Sequence, residues 1–202
     1  DGKPHVLKFG TDMVVGTRTG QKEVKIDGSE LVLVGYGVDA PEQQWNDYAG
    51  IDVKGKTVVI LVNDPGFHAK DDALFEGTRM TYYGRWTYKY EEAAKQGAAG
   101  VLIVHETAPA SYGWQTVANS WGVPQFDILR QNAAAERVPM EGWIQRDVAV
   151  DLFRRAGLDF DALKAQARSR DFQPVALTGA SFSTEFDVAT NQVTTHNVIA
   201  RL

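Results

Sequence analysis

The chain has 202 residues, enough for one domain or for one domain with part of another. Its 21 Lys+Arg against 26 Asp+Glu leave a net charge of −5, which argues against a protein built to grip nucleic acid, and its 44% hydrophobic residues exclude wholesale disorder. There is no cysteine, so disulfides, thiolate-bound zinc and a thiol nucleophile are excluded.

Residues 1–30 read as short strands and turns, with Asp27-Gly28 as a hairpin signal between apolar runs. Leu31–Val34 follows as a buried strand ended by Gly35-Tyr36-Gly37, and residues 38–56 read as irregular. Thr57–Val62 is β-branched, continuous and bounded by Gly55 and Pro65, the pattern of a buried strand. A long loop spans Asn63 to Arg85. A helix over about Arg85–Gln96 comes next, with Trp86, Tyr90, Ala93 and Ala94 on one face and Gly97 as its stop.

Val101–Val104 is the next strand, so strand, helix and strand make a parallel βαβ unit. Residues 106–139 read as irregular and Glu141–Gln145 as a short strand. A helix from Asp147 turns Val148, Leu152, Phe153 and Ala156 inward and stops at Gly157. Asp159 caps a further helix to about Ser169, with Leu158 and Leu163 as a hydrophobic staple. From Pro174 the pattern alternates, and Phe182–Val188 with Val193–Ile199 reads as a two-strand ribbon turning near Asn191. The strand-like run before Arg201-Leu202 gives the expectation of a segment from a longer protein. No stretch approaches the ~18 consecutive apolar residues of a membrane span, and no signal peptide is visible.

Gly50-Ile51-Asp52-Val53-Lys54-Gly55-Lys56-Thr57 matches the phosphate-binding pattern G-x-x-x-x-G-K-[ST]. That loop needs a helix N-terminus after it, and here a strand follows, so it reads as a tight turn. Asp64, His68, Asp71, Asp72 and Glu76 crowd the long loop, either as a solvated acidic loop or as an adventitious metal site. His105-Glu106 stands at a strand end, where open α/β sheets place ligands. No G-x-S-x-G elbow occurs. Arg79, Tyr82, Tyr83 and Arg85 precede the first long helix, and arginine with tyrosine is the composition of a recognition hot spot.

Val34-Gly35-Tyr36-Gly37-Val38, Pro41-Glu42, Trp45-Asn46-Asp47-Tyr48 and Asp52-Val53-Lys54-Gly55-Lys56-Thr57 together resemble the protease-associated (PA) domain. Tyr82-Tyr83-Gly84-Arg85-Trp86 with Glu91–Gly100 narrows the resemblance to the version found in bacterial zinc aminopeptidases of the aminopeptidase-Y and glutamate-carboxypeptidase-like family. The resemblance covers about residues 31–172. It implies an α/β fold, a swivelling β/β/α domain with a mixed, barrel-like sheet, flanking helices and a C-terminal β ribbon. Residues 1–30 would lead into the domain, 31–173 would form it, and 174–202 would open a peptidase domain.

The resemblance further implies two zinc ions in the parent's peptidase domain and a periplasmic or secreted location. Its partners would be the peptidase domain of the same chain and a peptide substrate, with no nucleic acid. No H-x-D ligand motif occurs, so neither catalytic nor metal residues carry over. Arg79, Tyr82, Tyr83 and Arg85 would stand at the substrate-cleft rim, where an arginine can hold a peptide carboxylate in two bonds. The alternative is an independent protein–protein interaction module.

Overall fold

A computed structural model describes residues 3–69 and 71–200. In chain order the elements are β1 (Met13–Gly16), β2 (Glu23–Leu33), β3 (Asp39–Ala40), β4 (Trp45–Asn46), β5 (Thr57–Leu61), α1 (Pro65–Ala69), α2 (Trp86–Lys95), β6 (Gly100–His105), α3 (Thr107–Ala110), α4 (Trp114–Trp121), α5 (Ala133–Glu136), β7 (Met140–Gln145), α6 (Arg146–Arg155), α7 (Phe160–Gln166) and β8 (Val175–Asp187). Single 3₁₀ turns occupy Pro41–Gln43 and Tyr82–Gly84.

The main sheet has the order β1-β7-β6-β5-β2-β8 and curls into a half-barrel. β2, β5, β6 and β7 run parallel, while β1 and β8 close the two edges antiparallel. This is the mixed α/β architecture of the expected fold class.

Alternation along the parallel strands sends side chains to two cores. Val32, Val58, Ile60, Val101, Ile103 and Trp143 meet Tyr90 and Ala93 of α2 and Val117 of α4 on one face. Leu31, Leu33, Val59, Leu61, Leu102 and Ile144 meet Ala149 and Phe153 of α6 and Phe160 of α7 on the other. Burying each such side chain is worth ~1.5–3 kcal/mol, which makes these strands the frame that loops depend on. Gly97 stops α2 with a positive φ of 76°. The Asp159 carboxylate accepts from Ala162 N at 3.0 Å to start α7, and Leu158 and Leu163 pack on the core beside it.

Four expectations change. Asp27-Gly28 turns no hairpin: it lies inside β2, where one extra residue between Ile26 and Ser29 makes a bulge against Thr184 and Phe182. Gly28, at φ 64°, supplies the left-handed backbone there that a turn would have used. Residues 106–139 are not irregular throughout but hold α3, α4 and α5, and the loop 63–85 holds α1 and a 3₁₀ turn. In α2 the residue turned inward is Lys89, while Trp86 is exposed, because Trp86 stands at the helix start beyond the sheet edge. The C-terminal ribbon forms between β8 and β2, and residues 188–200 form no strand.

Candidate functional site

The carboxyl ends of β2 and β5 are joined to α2 by a buried polar network. Lys89 has no solvent exposure. Its Nζ donates to Tyr36 O and Asn63 O at 2.7 Å each and to Tyr83 O at 3.4 Å. Three carbonyls from three chain segments thus converge on a group with three donors, the geometry of an ammonium. Burial lowers the pKa of this amine, and the charges of Asp47 and Asp64 oppose that shift.

Asp47 is buried and accepts from Tyr36 N and Val38 N at 3.0 Å and from Trp45 Nε1 at 2.8 Å. Burial raises its carboxyl pKa, and these three donors hold the rise back. Asp64, equally buried, accepts from Thr81 N at 3.0 Å and Thr81 Oγ1 at 2.7 Å. The network therefore ties the Gly35–Gly37 turn, the end of β5 and the turn before α2 to one another. Sequence reasoning missed it: a lysine on an amphipathic helix reads as solvated, and only its place one residue from the Tyr88–Tyr90 stripe hinted otherwise.

Above this network sits an aromatic cluster. Tyr83 lies 5.0 Å from Tyr88 and 5.7 Å from Phe75, and Tyr82 lies 5.4 Å from Tyr88, all edge-on. Tyr83 OH donates to Glu42 Oε1 at 2.5 Å, a bond that pushes its pKa up to about 12 and draws that of Glu42 down. Tyr82 OH donates to Glu91 Oε2 at 3.0 Å, which raises its pKa as well. Gly84 has no room for a side chain: a Cβ would stand 2.7 Å from Met80 Cγ and 2.9 Å from Asn63 Oδ1.

Of the four rim residues, Tyr82 and Tyr83 come together in this cluster. Arg79 does not join them: it is exposed and pairs with Glu76 at 3.3 Å. Arg85 is exposed at the N-cap of α2 with its side chain free of hydrogen bonds and ion pairs.

A second surface lies along the other side of α2. The strap between α4 and α5 exposes Val123, Phe126, Ile128 and Leu129, with 82% of Phe126 open to solvent. Asp127, between them, points the other way and accepts from the buried Arg137 Nη2 at 2.9 Å. Arg18 lies 3.9 Å from Asp127, grips Glu141 with two bonds of 2.8 Å and stacks 5.7 Å over the exposed Trp86. The strap is thus anchored by charge with its apolar side outward.

The remaining sequence signals resolve structurally. The turn at Gly55 feeds β5 with no helix behind it, as the tight-turn reading requires. His105 Nε2 lies 3.0 Å from Tyr112 O, packed between Trp114 and Trp143, and burial lowers its pKa. The acidic loop makes no metal site, because its carboxylates are engaged locally: Asp64 by Thr81, Asp71 by Ala73 N, Glu76 by Arg79. Among the described residues no group of three or more His, Asp or Glu is placed to hold a metal ion, and no helix is long and apolar enough to cross a membrane.

Comparison with known families gives one match: the model of the PA domain aligns with residues 29–136, just over half of the chain. No curated protein and no solved structure matches the chain.

Proposed function

Since the chain belongs to the PA domain family, we propose that it is the non-catalytic, substrate-access module of a zinc-dependent metallopeptidase of the aminopeptidase-Y and glutamate-carboxypeptidase-like kind. Its seat would be beside the active-site cleft of a peptidase domain in the same parent chain, in a periplasmic or secreted protein. The observation that carries the reading is the strap: four large apolar side chains exposed within seven residues, held outward by the Asp127–Arg137 pair. Exposed apolar surface of this kind marks a site of contact with another domain or protein. The Tyr82–Tyr83 turn, joined to the same helix, supplies the rim, and Arg79 and Arg85 are the cations that would meet a peptide carboxylate there. The two zinc ions belong to the parent's peptidase domain. The described residues offer them no ligand set, and no step here runs through them.

The test is peptidase assay of the full natural protein. Activity is expected to vanish on zinc chelation and return with zinc. Phe126→Asp with Ile128→Asp is expected to lower kcat/KM for peptides about tenfold, ~1.4 kcal/mol of lost docking. Arg79→Ala with Arg85→Ala should raise KM, and an unchanged kcat/KM removes both from the rim. A full-length protein with no zinc-dependent peptidase activity defeats the reading and leaves the independent interaction module in its place.

A further inference from the structure

A cleft of about 350 Å³ runs between α2 and α5, lined by Glu91, Ala94, Lys95, Arg130, Glu136 and Arg137, with Ala135 on its edge. Its volume falls in the range of small-ligand sites. One lining group is incomplete. The Arg137 side chain is 5% exposed, and its Nε–H is buried without a hydrogen-bond partner, although Nη2 reaches Asp127 at 2.9 Å and Nη1 faces Glu91 at 3.6 Å. A buried donor left unmade costs ~1–3 kcal/mol, so this cleft gains by receiving an acceptor.

The neighbours decide which acceptor. The cleft's own carboxylates are engaged: Glu91 takes the Tyr82 hydroxyl, and Glu136 takes Arg130 at 3.0 Å. Lys95 is held by Glu92 at 3.0 Å. Arg137 already has two carboxylates around it, so a third anion at Nε would meet the repulsion of both. A neutral oxygen meets none. The small side chains of Ala94 and Ala135 leave room for a main chain to lie close, and the charged walls of both signs suit a backbone whose dipoles alternate.

We infer that the cleft between α2 and α5 binds a short extended peptide whose main-chain carbonyl accepts the Arg137 Nε–H. This goes beyond the access-module reading and does not depend on it, since the peptide is added to the chain itself.

The experiment follows the ¹⁵N resonance of the Arg137 Nε–H, identified by its loss in Arg137→Lys, while N-acetyl-trialanine amide is titrated into the protein. A saturable shift with a Kd of about 1 mM is expected, with free trialanine binding no better than the blocked peptide. Ala135→Phe, which fills the cleft from an exposed position without touching any ion pair, is expected to weaken binding about tenfold. A resonance that does not move, or that moves equally in Ala135→Phe, overturns the inference. Binding by free trialanine alone also overturns it, because the ligand group would then be a carboxylate. None of these outcomes bears on zinc-dependent activity, so the two readings fail separately.

Discussion

Replacing Lys89 with methionine keeps the length of the side chain and removes the ammonium. The carbonyls of Tyr36, Asn63 and Tyr83 then lose the donor they share. Asp47 and Asp64, whose charges act on this amine, lose their nearby cation. Each bond from a charged donor is worth ~1.5–3 kcal/mol, and such bonds do not add. Taking one member from a buried charged set costs ~3–5 kcal/mol. A loss of about 4 kcal/mol is therefore expected, which at ~2 kcal/mol per molar urea moves the unfolding midpoint down by roughly 2 M. Lys89→Arg should recover little, since a planar fork cannot aim at three converging carbonyls. Near-ultraviolet circular dichroism should report loosening of the Tyr82–Tyr83–Tyr88 cluster in the folded variant. A midpoint shift below about 0.5 M with an unchanged tyrosine signal would mean the carbonyls are satisfied without Lys89, and the network argument would be wrong.

Two further outcomes follow from local geometry. Gly84→Ala forces a methyl against Met80 Cγ and Asn63 Oδ1, at 2.7 and 2.9 Å. It should destabilise the chain by ~1–3 kcal/mol, and thermal melting within experimental error of the parent chain would contradict the close approach. His68 is pushed down to about 4 from 6.5, first by burial and then by the charges of Lys164 and Arg168. Between those pH values the unfolded chain takes a proton that the folded chain refuses, so stability is held above pH 6.5 and falls as pH drops toward 4. His68→Gln should flatten that part of the profile, and parallel melting curves for the two proteins across the window would rule His68 out as a source.

Periodic stretches were legible because their pattern and their packing agree. Thr57–Leu61 and Gly100–His105 are buried along their whole length, and unbroken β-branched runs carry that information locally. The helices after Glu141 were readable from apolar spacing and from the Asp159 cap. The segment 106–139 was not, because α3, α4 and α5 are short and have no side-chain cap. Such helices depend on tertiary contact rather than on their own propensity. The Asp27-Gly28 signal was misleading for a related reason: a left-handed glycine serves a turn and a bulge equally, and only the partner strand decides. At the site, sequence chemistry identified Tyr82 and Tyr83 but not Lys89, Asp47 or Arg137. Their importance lies in what they touch across the chain, which no local window contains.

The rim turn and the peptide cleft are two sides of one element. α2 carries Lys89 toward the sheet, and Glu91 stands between the turn and the cleft. Glu91 Oε2 accepts from the rim Tyr82, while Oε1 faces Arg137 at 3.6 Å. A carboxylate shared between two donors ties their positions together: movement of Arg137 toward a ligand carbonyl weakens its hold on Glu91 and leaves that carboxylate freer to take the Tyr82 proton bond. The raised pKa of the Tyr82 phenol comes first from that same bond. Filling the cleft should therefore strengthen the bond and raise the Tyr82 pKa further, and Glu91→Gln should remove both the initial rise and its response to peptide. Tyrosinate absorbance titrated with and without N-acetyl-trialanine amide reads this directly. Equal titration curves would mean that cleft and rim act independently despite their common helix.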